Sequence, residues 1–263
     1  MNKRIVFAVA VALLTGIVTT QAQTPAPTTA PAAGSWTLTP AVVSQYMFRG
    51  TRLGGPSFQP ALEYASGPWL GGIWANVPLD EKVPGQSDPE FDFYGSYTAA
   101  LGDALTLVPG FTVYTYPDAD KSAGFYKATF EPSVALNYTV SGLRLTPKIY
   151  YDTVLKGATY EFGAFYAVPL TSLGTELDFT ATVGTFKWRD ALENTSPRAK
   201  NWGDYWQAGV ALPFQVGANS KLTLGWYYAK GDANFIKVGT APKFENTAAV
   251  GRGVATLSYA IKF

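Results

Sequence analysis

Glu131 and Lys148 flank the turn residues Ser141-Gly142. If the segments on either side form a hairpin, the two side chains lie diagonally across one face, within reach of a salt bridge. Such a pair would either set a charged constriction in an aqueous passage or neutralise part of a wall. Lys127, Arg144, Asp152 and Glu161 fall on the same face of these and the following segment. A group of aromatics shares the matching face elsewhere: Trp74, Tyr94, Tyr114, Tyr150, Phe165 and Tyr227. Flat rings with polar edges suit sugars, nucleosides and other ring-containing solutes, and they equally fill a narrow interior. Glu176 and Asp178 could act as acid and base or bind a divalent cation. No third ligand stands beside them, so a solvated pair is the plainer reading.

The residue inventory removes most other chemistry. The chain has no His and no Cys, which excludes imidazole bases and ligands, thiol nucleophiles, disulfides and thiolate metal sites. Gly54-Gly55 and Gly71-Gly72 lack the helix start and Lys of a phosphate loop. No enzyme, cofactor or metal is expected. The net charge is +1, from 20 Lys and Arg against 19 Asp and Glu, so no basic surplus points to nucleic acid. Only 15% of the residues are charged, whereas there are 7 Trp, 16 Tyr and 16 Phe. That composition departs from a soluble domain, in which about a quarter of the residues are charged.

The elements that would position these side chains begin after a leader. Lys3 and Arg4 precede an apolar run from Ile5 to Val18, and Thr20-Gln21-Ala22 supplies the small residues of a cleavage site. Residues 1–22 therefore read as a secretory signal peptide, because a spanning helix needs about 20 apolar residues. Residues 23–34 are rich in Pro, Thr and Ala and read as a flexible tether. From residue 35 to residue 263 the recurring pattern is alternation with a period of two, broken by turn chemistry, with no helical periodicity. Strands are expected near 36–48, 57–65, 69–77, 90–100, 104–116, 124–138, 142–154, 158–169, 176–187, 202–214, 220–230 and 250–263.

An even count puts both termini on one side, with short turns there and the longer loops, near 78–89, 188–201 and 231–249, on the other. The expected fold is all-β: a transmembrane antiparallel up-and-down β-barrel of 12 strands, with 10 or 14 as alternatives. Taking each apolar face as outward turns Glu63, Asp92, Lys127, Glu131 and Arg144 inward, and likewise Lys148, Asp152, Glu161, Glu176, Asp178, Lys221, Arg252 and Lys262. Lys187, Asp204 and Lys230 have outward parity but fall at a rim. Tyr126 and Tyr138, Tyr160 and Leu170, and Trp206 and Phe214 bracket outward faces as interfacial belts do, which a secreted β-sandwich would not require. Arg49, before Gly50 at the end of the first strand, is expected at the extracellular rim facing inward, either screening anions or pairing with an acid.

Three segments carry resemblances. Leu257-Ser258-Tyr259-Ala260-Ile261-Lys262-Phe263 resembles the signal by which outer-membrane proteins present their last strand to the barrel assembly machinery, with Phe263 and Tyr259 as its key residues. Ser44-Gln45-Tyr46-Met47-Phe48-Arg49-Gly50, followed by Gly71-Gly72-Ile73-Trp74-Ala75-Asn76, resembles the TorF porin family. In that family the first segment usually has Asp where this chain has Gln45, and a small polar residue where it has Arg52. The resemblance implies a Gram-negative outer-membrane barrel with a pore role. The combined expectation is a porin admitting small hydrophilic solutes by passive diffusion through a narrow, mixed-charge lumen of weak ion selectivity. The alternative is a non-conducting structural or binding barrel. Its partners would be outer-membrane lipid, the assembly machinery and the solutes, with no nucleic acid.

Overall fold

The computed structural model describes residues 34–80, 88–119, 126–154, 156–187, 202–231 and 251–263. The signal peptide, most of the tether and most of the three longer loops lie outside the described residues. Twelve antiparallel strands form one closed wall. They are β1 (Ser35–Thr39 and Ala41–Val43), β2 (Ser57–Phe58 and Ala61–Ser66), β3 (Trp69–Pro78), β4 (Glu90–Tyr97 and Ala99–Ala100), β5 (Leu105–Thr115) and β6 (Ala128–Val140). The second half contains β7 (Leu143–Asp152), β8 (Gly157–Leu170), β9 (Thr175–Lys187), β10 (Trp202–Gly217), β11 (Ser220–Gly231) and β12 (Arg252–Lys262). One 3-10 turn at Thr171–Leu173 joins β8 to β9, and the described residues contain no α-helix.

Each strand pairs with its sequence neighbour, and β12 closes the wall on β1, with Leu38 opposite Ile261 and Val42 opposite Leu257. Closure satisfies every wall strand on both sides, as a sheet in hydrocarbon must be. Pro40 and Pro60 interrupt β1 and β2 without opening the ladder, since both carbonyls still accept, from Tyr259 N–H and Ala75 N–H.

The period of two sorts the side chains by solvent. Along β12, Val254, Thr256, Ser258 and Ala260 are buried inward while Leu257, Tyr259 and Phe263 are exposed outward. Trp36 stacks on Tyr64 and Trp69 on Tyr97 near the termini end, and Trp206 on Tyr228 near the other, giving an aromatic belt at each end of the outer wall. Val134 lies between them, exposed on the outer face of β6. Val134→Arg is expected to cost about 2–4 kcal/mol, because the guanidinium would face mid-depth hydrocarbon. Urea titration of the protein refolded in lipid checks this, and a loss under about 0.5 kcal/mol would contradict the outward placement.

Candidate functional site in the barrel lumen

Among the described residues, one segment leaves the wall and turns into the lumen. Ser44 N–H donates to the Ala255 carbonyl, and the Ser44 hydroxyl accepts from Ala255 N–H. Beyond that clamp, Tyr46–Phe48 and Thr51–Gly54 pair only with each other, as a separate two-stranded hairpin. Its turn is Arg49-Gly50, both with positive φ (46° and 73°), the two-residue geometry whose twist suits a tight hairpin.

Three consecutive apolar residues explain why this hairpin turns inward. In a wall strand, one of Tyr46, Met47 and Phe48 would have to face the aqueous side opposite to its neighbours. Here both faces are covered instead. Tyr46 packs on Trp74 of β3, with ring centroids 5.8 Å apart. Met47 sits among Val43, Tyr227 and Val254 on the other side, fully buried. Phe48 meets Tyr114 of β5 edge-on at 6.0 Å. The tip then reaches β11, where a Cβ on Gly50 would stand 2.5 Å from the Gly231 nitrogen, so only glycine fits that seat.

Arg49 at the tip bridges to the far wall. Its Nη1 and Nη2 donate to Glu131 Oε2 and Oε1 at 2.9 and 2.8 Å, a bidentate fork. Both side chains are 2% exposed. The guanidinium also lies 4.7 Å from the Phe48 ring centroid and 4.8 Å from that of Tyr150.

Around this bridge the acids are satisfied by phenols. Tyr114 donates to Glu131 at 3.0 Å, Tyr46 and Tyr116 to Glu90 at 2.7 and 2.9 Å, and Tyr150 and Tyr205 both to Glu161. Asp152 accepts from Thr129 at 2.6 Å. The Lys148 ammonium lies 4.2 Å from the Tyr150 ring centroid. Nearer the termini, Arg144 stacks on Phe165 at 4.5 Å and has Asp178 as a charged neighbour, which in turn has Glu176 and Lys221 beside it. Among the described residues, no group of His, Cys, Asp or Glu is placed to hold a metal ion.

The structure brings most of the expected residues together and corrects three placements. Trp74, Tyr94, Tyr114, Tyr150, Phe165 and Tyr227 are all buried inside. Arg49 faces inward and pairs with an acid, Glu131, but from the buried tip of the inserted hairpin rather than from an open rim, because its apolar neighbours pull the turn into the lumen. Glu131 does not meet Lys148. Val140 stands opposite Leu143, which puts Lys148 opposite Ala135, four residues from Glu131, and opposite Glu161 on β8. Lys127 is exposed ahead of β6, donating to the Pro117 carbonyl at 2.9 Å, since β6 starts at Ala128. Sequence reasoning missed Tyr46, Glu90, Tyr116 and Tyr205. Tyr205 was within reach of parity, lying between the outward Asp204 and Trp206, and Glu90 has the parity of Asp92.

A closed antiparallel barrel with an apolar belted exterior and a polar, charged lumen has the architecture of outer-membrane porins. The chain belongs to the bacterial family Gcw_chp, described as of unknown function, whose profile matches residues 29–249. Among solved structures, the NanC porin is similar at a TM-score of 0.52 with 11% identity, covering 87% of this chain and 100% of its own. The KdgM porin, in complex with disordered oligogalacturonate, is similar at 0.50 with 9% identity, covering 87% and 99%. LpxR from Salmonella typhimurium scores 0.48 with 8% identity, covering 86% and 99%. No curated protein matches the chain. The likeness to the porins is one of fold: an outer-membrane β-barrel of channel-like form.

Proposed function

We propose that the protein is a channel of the Gram-negative outer membrane that lets small hydrophilic solutes diffuse passively past the inserted hairpin. The observation that carries this reading is the lumen itself, lined by charged and phenolic groups and crossed by a hairpin latched through Arg49 and Glu131. A twelve-stranded wall falls between eight-stranded barrels filled by side chains and the open 16- to 18-stranded channels. An inserted hairpin therefore consumes much of the cross-section and sets the size limit. The similar fold of two porins and the resemblance of the first two hairpins to the TorF porin family support the same reading. Residues 1–22 would direct export, and Phe263 and Tyr259 would present β12 to the assembly machinery. With neither His nor Cys in the chain, no catalytic role is assigned.

Liposome swelling tests the proposal. Vesicles holding the folded protein should swell in a small sugar such as arabinose and not in a large oligosaccharide, whereas no swelling in either would end the channel reading. Lys148 supplies a second test. Its ammonium is one of two buried positive charges among the described residues. Lys148→Ala should raise the cation-to-anion permeability ratio by about twofold, read from the reversal potential in a KCl gradient. Unchanged conductance and selectivity would remove Lys148 from the passage.

A further inference from the structure

The sequence suggested a lumen of nearly balanced charge, but the buried groups are unbalanced. Among the described residues, the buried charged side chains are the bases Arg49 and Lys148 and seven acids. Most of these acids are held by phenols, hydroxyls or Arg49. Asp92 differs: it is fully buried, and neither carboxylate oxygen has a hydrogen-bond partner among the described residues.

Its position is specific. Asp92 lies on the lumen face of β4, directly opposite Trp74 on β3 and Tyr114 on β5. Both rings are buried beside it, and the hairpin's Tyr46 covers Trp74. Glu90 stands two residues along the same face, with its oxygens taken by Tyr46 and Tyr116. Glu131, forked to Arg49, is a further charged neighbour of Asp92. An enclosed carboxyl whose two oxygens have no hydrogen-bond partner among the described residues, flanked by aromatic rings, suits a compact unit of positive charge.

We propose that Asp92, with Trp74 and Tyr114, forms a binding site for a small monovalent cation, either a permeating alkali ion or the ammonium head of a solute. The site lies between the wall and the inserted hairpin and makes the pore cation-selective. This deepens the channel reading and rests on it for the word selective, but not for binding. Binding is therefore tested first, without conduction. Thermal unfolding of the full-length protein in detergent is compared in potassium chloride, methylammonium chloride and tetrabutylammonium chloride at equal ionic strength. Potassium or methylammonium should raise the midpoint relative to the bulky ion, and Asp92→Asn should abolish the difference. A midpoint indifferent to the cation would overturn the site, as would an Asp92→Asn protein that keeps the cation dependence.

In planar bilayers, Asp92→Asn should lower the cation-to-anion permeability ratio by about threefold. A fall for potassium alone would identify an alkali ion as the occupant, and a fall for methylammonium alone an amine. Unchanged ratios for both would overturn the selectivity claim. If wild-type protein fails to conduct, the channel reading falls, and the unfolding comparison still decides the site. Should Asp92→Asn not fold, the cation dependence of the wild-type midpoint decides it.

Discussion

Replacing residues 45–55 with Asn-Gly should leave the barrel folded and raise its single-channel conductance at least about threefold, because the passage would then be bounded by the wall alone. The folding half of this expectation follows from the register. Val42 pairs with Phe58 and Val43 with Ser57, so β1 and β2 are already joined below the point where the hairpin departs. Ser44 is clamped to Ala255 on the far side. The removed segment has no ladder partner in the wall, and its loss breaks no backbone hydrogen bond of the wall ladder among the described residues. What it takes away is Tyr46, Met47, Phe48 and Arg49 from the interior. Glu90 and Glu131 would then face water, so the wider pore should also prefer cations more strongly. A shortened protein that migrates as a folded barrel yet conducts no better than the intact one would show that the hairpin does not define the passage.

Arg49→Ala should be the most damaging single change, lowering stability by about 3–5 kcal/mol. Removing one member of a buried ion pair leaves the other charge enclosed and uncompensated. Among the described residues, Glu131 would keep only the Tyr114 hydroxyl as a hydrogen-bond partner. The double change Arg49→Ala with Glu131→Ala should recover most of that loss, since neither buried charge then remains. Urea titrations of the four proteins close a double-mutant cycle, and a coupling energy near zero would mean that the bridge does not hold the hairpin. The same variants should conduct with more frequent transitions, as a tip seated only by the close contact of Gly50 with Gly231 is free to lift.

Most of the wall was legible because one physical rule governs it. Side chains alternate between lipid and water, so the strand near 250–263 could be placed with Arg252 and Lys262 inward, and the turn Ser141-Gly142 marked the ends of the strands on either side of it. The lumen was legible only as far as that parity goes. It found Trp74, Tyr114 and Tyr150 inside, but it could not say which acid each would meet. The meeting of Glu131 with Arg49 depends on a segment that obeys a different rule. Tyr46-Met47-Phe48 breaks the alternation, and a strict reading of that break would have taken the segment out of the wall. The expected contact between Glu131 and Lys148 failed because the tight turn at Ser141-Gly142 fixes a register four residues away from it.

Asp92 illustrates the same limit from the other direction. Parity turned it inward, but that it lies fully enclosed follows from the hairpin that folds over Trp74. The near balance of charges in the whole sequence hid their separation in space: among the described residues the buried positions carry acids in excess.

The most direct test of the central claim is single-channel recording from the folded, full-length protein in planar bilayers. The inserted hairpin in a polar lumen predicts discrete, small, cation-preferring conductance steps that grow when residues 45–55 are replaced by Asn-Gly. Folded protein that inserts and gives no steps, with and without the hairpin, would contradict it.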